Sequence, residues 1–195
     1  MGYKTNLIAD TNENQLRKEI KRFAISSEKA TLALFFYAGH GAQVFGENYI
    51  LPTDLEIPHR ESDIQLSGIK VDDIINSIKS KTKVIFLDAC RDNPVLIKSL
   101  SKGRGSYARG LAPTIYNSTI ESSSGIFIAY STDSGNIALD GVNSNNSPFT
   151  SSLLKFIKEP ISIDDMISKV TKDVKENTAS KQKPYKYASF DGVVC

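Results

Sequence analysis

The chain has 195 residues, of which 40% are hydrophobic, enough for one globular domain with a substantial core. It carries 24 basic and 22 acidic side chains, which give a formal net charge of +2. Because the basic residues form no stripe, we expect no nucleic-acid partner. Because no apolar run reaches about 18 residues, we expect no membrane span. Because it has two cysteines and one is the last residue, we expect no disulfide framework and a reducing, cytoplasmic setting.

The first half of the chain alternates between strand and helix patterns. Apolar and aromatic runs bounded by turn residues are typical of buried strands, whereas apolar residues spaced three and four apart are typical of helices. In chain order these patterns predict a strand over 3–9, a helix over 13–24, a strand over 31–38, a hairpin over 43–51, a Pro- and charge-rich stretch over 52–67, a helix over 71–78 and a strand over 83–88. Strands separated by helices imply parallel pairing, so we expect an α/β fold.

The second half begins with a segment, 98–124, that is rich in Ser, Gly, Lys and Arg and shows no periodicity. We interpret it as a flexible linker that separates 1–97 from 125–195 within a single domain spanning 1–195. The remaining patterns predict a strand over 125–130, a polar loop over 133–146, a helix from Ser147-Pro148 to 157, a helix over 161–177 capped by Ser162 or Asp164, and an extended tail over 183–195.

Two of the predicted strands end at chemically useful side chains. The run over 31–38 leads to His40, and the run over 83–88 leads to Cys90, fifty residues further on. Parallel strands of an α/β sheet present such residues at one edge, where a thiol and an imidazole can act as nucleophile and acid/base partner. A lone cysteine is more often a small buried hydrophobe, but the charged, turn-forming residues after Cys90 place it beside solvent. An imidazole across the cleft would favour its thiolate.

The neighbours of these two residues suggest further roles. The backbone N–H groups of Gly41 and Cys90 are candidates to bind the oxygen of an attacked carbonyl. Residues i and i+2 of a strand face the same side, so Asp88 would place a carboxylate near the scissile bond, although it could instead cap the strand end. Asp133 could add a second carboxylate or be a turn residue. We interpret the other histidine, His59, as solvated surface.

The combined motifs resemble the caspase-like cysteine peptidases, in particular their metacaspase, paracaspase and bacterial branches. The motifs that carry the resemblance are Tyr37-Ala38-Gly39-His40-Gly41, Asn48-Tyr49-Ile50-Leu51-Pro52, Asp88-Ala89-Cys90-Arg91-Asp92-Asn93-Pro94, Arg109-Gly110-Leu111-Ala112-Pro113, Ile128-Ala129-Tyr130-Ser131-Thr132 and Asn146-Ser147-Pro148-Phe149-Thr150.

The resemblance implies a three-layer α/β/α sandwich with a mostly parallel central sheet. It implies Cys90 as nucleophile, His40 as acid/base, Gly41 as oxyanion donor, and Ser131 beside the substrate. Caspases proper have Gln at the position of Asp88 and cleave after Asp, whereas the branches with Asp there prefer Arg or Lys. We therefore predict an endopeptidase that cleaves peptide or protein substrates after Arg or Lys, because an anionic pocket would pair with a guanidinium.

The resemblance also leaves part of the family pattern unmatched. The family's first strand and first helix precede the region that matches 3–9, so we expect a domain that lacks them. A dimer or another chain segment could complete it, and it could also be a fragment or a catalytically silent interaction module. A thiol redox protein is disfavoured because no second cysteine lies near Cys90. We predict no metal and no cofactor, since two histidines and no clustered ligand spacing suggest none.

Overall fold

The computed structural model describes residues 3–56, 58, 60–90, 125–133, 139 and 146–189, and for Cys90 the backbone alone. The helices of this part are α1 Glu13–Ser27, α2 Glu61–Ser67, α3 Val71–Ser77, α4 Pro148–Phe156 and α5 Ile163–Asn177. Its strands are β1 Leu32–Val44, β2 Glu47–Ile50, β3 Ile69–Lys70, β4 Thr82–Cys90, β5 Gly125–Tyr130 and β6 Tyr185–Ser189. None of the helices in these ranges combines the length and apolar character that crossing a bilayer requires.

The described strands form one six-stranded sheet in the order β3-β2-β1-β4-β5-β6. The three central strands β1, β4 and β5 run parallel. The outer strands β2, β3 and β6 each pair antiparallel with their neighbours. Parallel strands joined by helical crossovers are what the alternating sequence pattern predicts, and the α/β fold is confirmed.

Helices cover both faces of this sheet and make the molecule a three-layer sandwich. Strand β4 shows why, because its apolar side chains alternate between two separate cores. Ile85 and Leu87 pack with α1 and α3 on one face, whereas Val84 and Phe86 pack with α4 and α5 on the other. A strand that is buried on both faces must be almost continuously apolar. This explains the uninterrupted run that precedes Asp88.

The helix starts are set by side-chain caps. Asn12 accepts a hydrogen bond from the backbone N–H of Gln15 at the start of α1. Ser147 and Ser162 do the same at the starts of α4 and α5. The structure thus selects Ser162 over Asp164 as the cap of α5. Each cap satisfies an N–H group that the helix cannot pair, which contributes about 1 kcal/mol.

Strand β1 continues into the hairpin that the sequence pattern suggested as a separate unit. It runs from Leu32 to Val44, and a two-residue turn at Phe45 and Gly46 returns the chain along β2. Both turn residues have positive φ, 49° and 82°, as a type I′ hairpin requires. The first part of β1 therefore pairs with β4 and its last four residues pair with β2.

Three expectations from the sequence differ from the structure. The strand predicted over 3–9 is wrong: this segment is exposed and pairs with no described strand, and an extended segment needs a partner to become a strand. The stretch 52–67 contains α2, which buries Ile64, and it is followed by the short β3. Part of the predicted tail is the paired strand β6. The segment 98–124 and His59 lie outside the described residues.

Among the described residues, the edge of β1 that faces away from β4 has no strand partner over 32–40, although the N–H of Leu51 donates to the carbonyl oxygen of His40 at its end. The described part of the chain contains no strand that pairs with this edge, because β2 begins its pairing at Gly41. Leu34 and Phe36 on this stretch are 38% and 41% exposed. An unpaired edge beside exposed apolar side chains is a surface on which another strand can pair.

Candidate active site

The two strands that carry His40 and Cys90 are neighbours in the sheet. Strands β1 and β4 pair in parallel from Leu32↔Thr82 to His40↔Cys90, so these two residues are Cα partners at the end of the ladder. Neighbouring strands lie about 4.8 Å apart, which brings the two backbones side by side. Both residues stand where the parallel pairing of β1 and β4 ends on its carboxyl side, the edge at which open α/β sheets place their sites.

His40 faces the side of the sheet on which α4 and α5 pack. Side chains of β1 alternate, and Phe35 and Tyr37 pack into the core with α1 and α3. His40 belongs to the opposite, exposed series of β1, together with Ala38. Because registered residues of parallel strands share a face, this is also the face of Asp88, the Cα partner of Ala38.

The backbone of His40 is held by two donors. The N–H of Leu51 donates to the carbonyl oxygen of His40 at 2.9 Å. The hydroxyl of Tyr37 lies 2.7 Å from the same oxygen and 3.2 Å from the carbonyl oxygen of Leu51. Burial raises the pKa of Tyr37 to about 12, and the backbone of Leu51 partly offsets this rise. The phenol therefore keeps its proton throughout the neutral range and remains a donor.

Gly39 has no side chain because the phenol of Tyr37 occupies that space. A Cβ atom at Gly39 would lie 2.7 Å from Oη and 2.9 Å from Cζ of Tyr37. For Gly39 the structural requirement is this contact with the ring.

Asp88 is buried, with 2% of its surface exposed, and it connects β4 to the start of α4. Its Oδ2 accepts hydrogen bonds from the hydroxyls of Ser147 and Thr150. Ser147 is the N-cap of α4 and Thr150 lies in its first turn. Hydrogen bonds to a carboxylate are the stronger kind, about 1.5–3 kcal/mol each, so this carboxylate anchors α4 to the sheet.

The other two predicted substrate residues follow β5 and lie beside β4. Ser131 is 2% exposed, and its N–H donates to the carbonyl oxygen of Leu87 at 2.9 Å. The side chain of Gln182 donates to the carbonyl oxygen of Ser131 at 2.8 Å. Asp133 is half-buried, and its N–H donates to the carbonyl oxygen of Lys183 at 2.8 Å. The segment is thus fixed mainly through its backbone.

Several residues that contact this region were not predicted as site residues from the sequence. Ser147 was predicted as a helix start, but its bond to Asp88 spans 59 positions and leaves no local pattern. Gln182 is fully buried and uses its amide to bind both Ser131 and the N–H of Leu139, the latter at 3.0 Å. Tyr37 belongs to the His40 motif, but its contact with Gly39 was not predicted. Its spacing from Gly39, two positions along a strand, is the signal that could have revealed their contact.

Metal-ligating side chains do not gather in the described ranges. No group of three or more His, Cys, Asp or Glu residues there is placed to hold an ion.

Comparison with known proteins gives one family. The family model described as the caspase domain matches residues 1–192. The human mucosa-associated lymphoid tissue lymphoma translocation protein 1 is 28% identical over 94 residues, which cover 47% of this chain and 11% of that protein. Its mouse homologue is 27% identical over 94 residues, with the same coverage of 47% and 11%. The chain thus matches only about a tenth of the length of these curated relatives.

Solved structures agree with this family at the level of the fold. Caspase-1 from Spodoptera frugiperda superposes with a TM-score of 0.55 at 16% identity, covering 95% of this chain and 71% of that chain. Protein GSU0716 from Geobacter sulfurreducens superposes with a TM-score of 0.57 at 14% identity, covering 93% and 75%. With the sandwich architecture and the family match over nearly its whole length, the chain belongs to the caspase-domain family of caspase-like peptidases.

Proposed function

We propose that this chain is a cysteine endopeptidase that hydrolyses peptide bonds after Arg or Lys. The observation that carries the proposal is the parallel register of β1 and β4, in which His40 and Cys90 are Cα partners at the carboxyl edge of the sheet. An imidazole beside a cysteine is the arrangement that activates a thiol nucleophile. Membership of the caspase-domain family supports the same chemistry.

The proposed reaction proceeds through a thioester. The Cys90 thiolate attacks the carbonyl carbon of the scissile peptide, and the carbonyl electrons move to oxygen. Backbone N–H groups of Gly41 and Cys90 stabilise this oxyanion. His40 protonates the leaving amine as the C–N bond breaks, and it then removes a proton from the water that hydrolyses the thioester.

The proposed specificity rests on Asp88. It lies two residues before Cys90 on β4, on the face to which His40 also points, and it is buried. A substrate guanidinium would share this carboxylate with the hydroxyls of Ser147 and Thr150, whereas an acidic side chain would be repelled. Ser131 and Asp133, held beside the end of β4, would form the neighbouring wall.

Fluorogenic peptides that differ only in the residue before the scissile bond test this proposal. The wild type should hydrolyse Arg and Lys peptides at least about 100-fold faster than the Asp peptide, since a second negative charge beside the buried carboxylate of Asp88 costs several kcal/mol. Cys90→Ala should abolish the activity. Asp88→Asn, which keeps an oxygen for Ser147 and Thr150, should lose the preference for Arg, whereas Asp133→Asn should reduce it less. Faster cleavage after Asp than after Arg would refute the proposed specificity.

A second candidate is a catalytically silent interaction module, and the open edge of β1 favours it. Over 32–40 this edge has no partner among the described strands, and Leu34 and Phe36 beside it are exposed. We propose that a strand from another chain segment or a second copy pairs there, in a cytoplasmic setting. A peptide electrophile with a basic end group separates the two candidates. Attachment at Cys90 supports the peptidase, and no attachment to a folded, dimeric chain supports the module.

A further inference from the structure

We propose that Tyr37 is a positioning residue for the reaction, because its phenol holds the peptide unit that joins His40 to Gly41. This inference rests on the proposed function, since that unit belongs to the histidine and to the oxyanion donor at once. The sequence analysis gave Tyr37 no role beyond membership of a motif.

Two donors saturate the carbonyl oxygen of His40. A carbonyl oxygen has two lone pairs, and that of His40 has two donors, the N–H of Leu51 at 2.9 Å and the hydroxyl of Tyr37 at 2.7 Å. A phenol has a single proton to give. The shorter of its two contacts is the one to His40, so the proton is directed there rather than to Leu51 at 3.2 Å.

The peptide unit that joins His40 to Gly41 is planar. The C=O of His40 and the N–H of Gly41 belong to one trans unit, so a carbonyl fixed toward β2 turns the N–H the opposite way. Gly41 is the Cα partner of Ile50, and the flanking bond from Leu51 to His40 makes this a pair that exchanges no ladder bonds. The Gly41 N–H therefore points away from β2 and toward β4, where the pairing His40↔Cys90 places the backbone of Cys90.

Tyr37 reaches this oxygen across Gly39. Tyr37 and Gly39 are two positions apart on β1 and face the same side of the sheet. The ring lies across Gly39, where any Cβ would be 2.7 Å from the hydroxyl oxygen. The ring of Tyr37 therefore fits only because residue 39 is a glycine. Its hydroxyl in turn donates to the carbonyl oxygen of His40.

The consequence is specific to one step of the chemistry. Without the hydroxyl, the carbonyl oxygen of His40 keeps one of its two donors, so the peptide that carries the proposed oxyanion donor, the Gly41 N–H, is held less firmly on the β2 side. Alkylation of a thiol by iodoacetamide displaces iodide and forms no oxyanion. Addition of the thiol to a peptide aldehyde forms an S–C bond and moves the carbonyl electrons to oxygen, so it needs the same donor as hydrolysis.

The test compares Tyr37→Phe with Tyr49→Phe. Tyr49 is a matched control because it is a buried tyrosine of the adjacent strand whose hydroxyl bonds to Glu47 and not to His40. Tyr37→Phe should lower kcat and the affinity for an Arg aldehyde roughly tenfold, a modest part of the effect of deleting an oxyanion donor. KM and the rate of iodoacetamide alkylation should change less than about twofold. Tyr49→Phe should leave all four quantities near wild type.

Amide exchange gives a readout that needs no catalysis. The N–H groups of Gly41 and Leu51 should exchange at least about fivefold faster in Tyr37→Phe than in Tyr49→Phe, because loss of the phenol hydroxyl loosens the backbone around His40. Unchanged exchange of both amides overturns the inference, as does a loss of aldehyde affinity matched by an equal loss of alkylation rate. A wild type that neither hydrolyses peptides nor binds the aldehyde refutes the proposed function alone, and amide exchange then decides the role of Tyr37.

Discussion

Replacing Ser147 by alanine should destabilise the fold far more than the same change at Ser162. Both serines are N-caps: each accepts a hydrogen bond from the third backbone N–H of its helix and donates to a carboxylate. The carboxylates differ, since Ser147 donates to buried Asp88 and Ser162 donates to exposed Asp165. The pair of substitutions thus isolates the effect of burying the acceptor.

The expected magnitudes follow from these contacts. Loss of either cap costs about 1 kcal/mol. At Ser147 the buried carboxylate also loses a charge-assisted hydrogen bond, which adds about 1.5–3 kcal/mol. At Ser162 water replaces the lost donor to Asp165, so no comparable addition is expected. We therefore expect about 2.5–4 kcal/mol for Ser147→Ala and about 1 kcal/mol for Ser162→Ala.

Urea denaturation followed by circular dichroism measures both free energies of unfolding on the same scale. Equal slopes against denaturant would show that the two variants differ in stability and not in the extent of unfolding. If both variants lose the same free energy within about 0.5 kcal/mol, the bond between Ser147 and Asp88 does not anchor α4 and the reasoning is wrong.

Three further outcomes are expected. Gly39→Ala should cost about 1–3 kcal/mol of unfolding free energy in the same titration, because the added methyl overlaps the phenol of Tyr37. Phe149→Ala should lower the free energy of unfolding by about 3–5 kcal/mol and Leu154→Ala in the same helix by far less, since Phe149 is fully buried and Leu154 is 56% exposed. Burial raises the pKa of Tyr37 to about 12, so the unfolded chain releases this proton earlier, near pH 10, and stability should fall between these values in the wild type. In Tyr37→Phe that fall should be shallower, and identical pH profiles would contradict the assigned burial.

The sequence was a good guide wherever burial alone determines an element. Strand β5 matches its prediction over 125–130, and β4 extends its predicted range by a residue or two at each end. Both strands are buried on two faces, so their uninterrupted apolar runs predict buried strands more clearly than any other element. The segment 3–9 ends in the apolar run Leu7-Ile8-Ala9 but forms no strand, because a strand also needs a neighbour that its own residues cannot reveal.

The site was predictable as a pair of residues but not as a set of contacts. His40 and Cys90 could be proposed as neighbours because each ends an apolar run, and a parallel sheet aligns such ends. The contacts of Asp88 with α4 join residues about sixty positions apart, which no periodicity predicts. The short α2 likewise arises in a charged stretch, where a single buried side chain, Ile64, fixes it against the hairpin.

The most direct test of the central claim measures how fast Cys90 is alkylated at neutral pH with and without His40. In a Cys195→Ser background, iodoacetamide should modify Cys90 at least about tenfold faster when His40 is present than in His40→Asn, because an adjacent imidazole favours the thiolate. Intact mass and Cys90→Ala would confirm the modified position. Equal rates with and without His40 would show that the two strand ends do not act together, and would contradict the account.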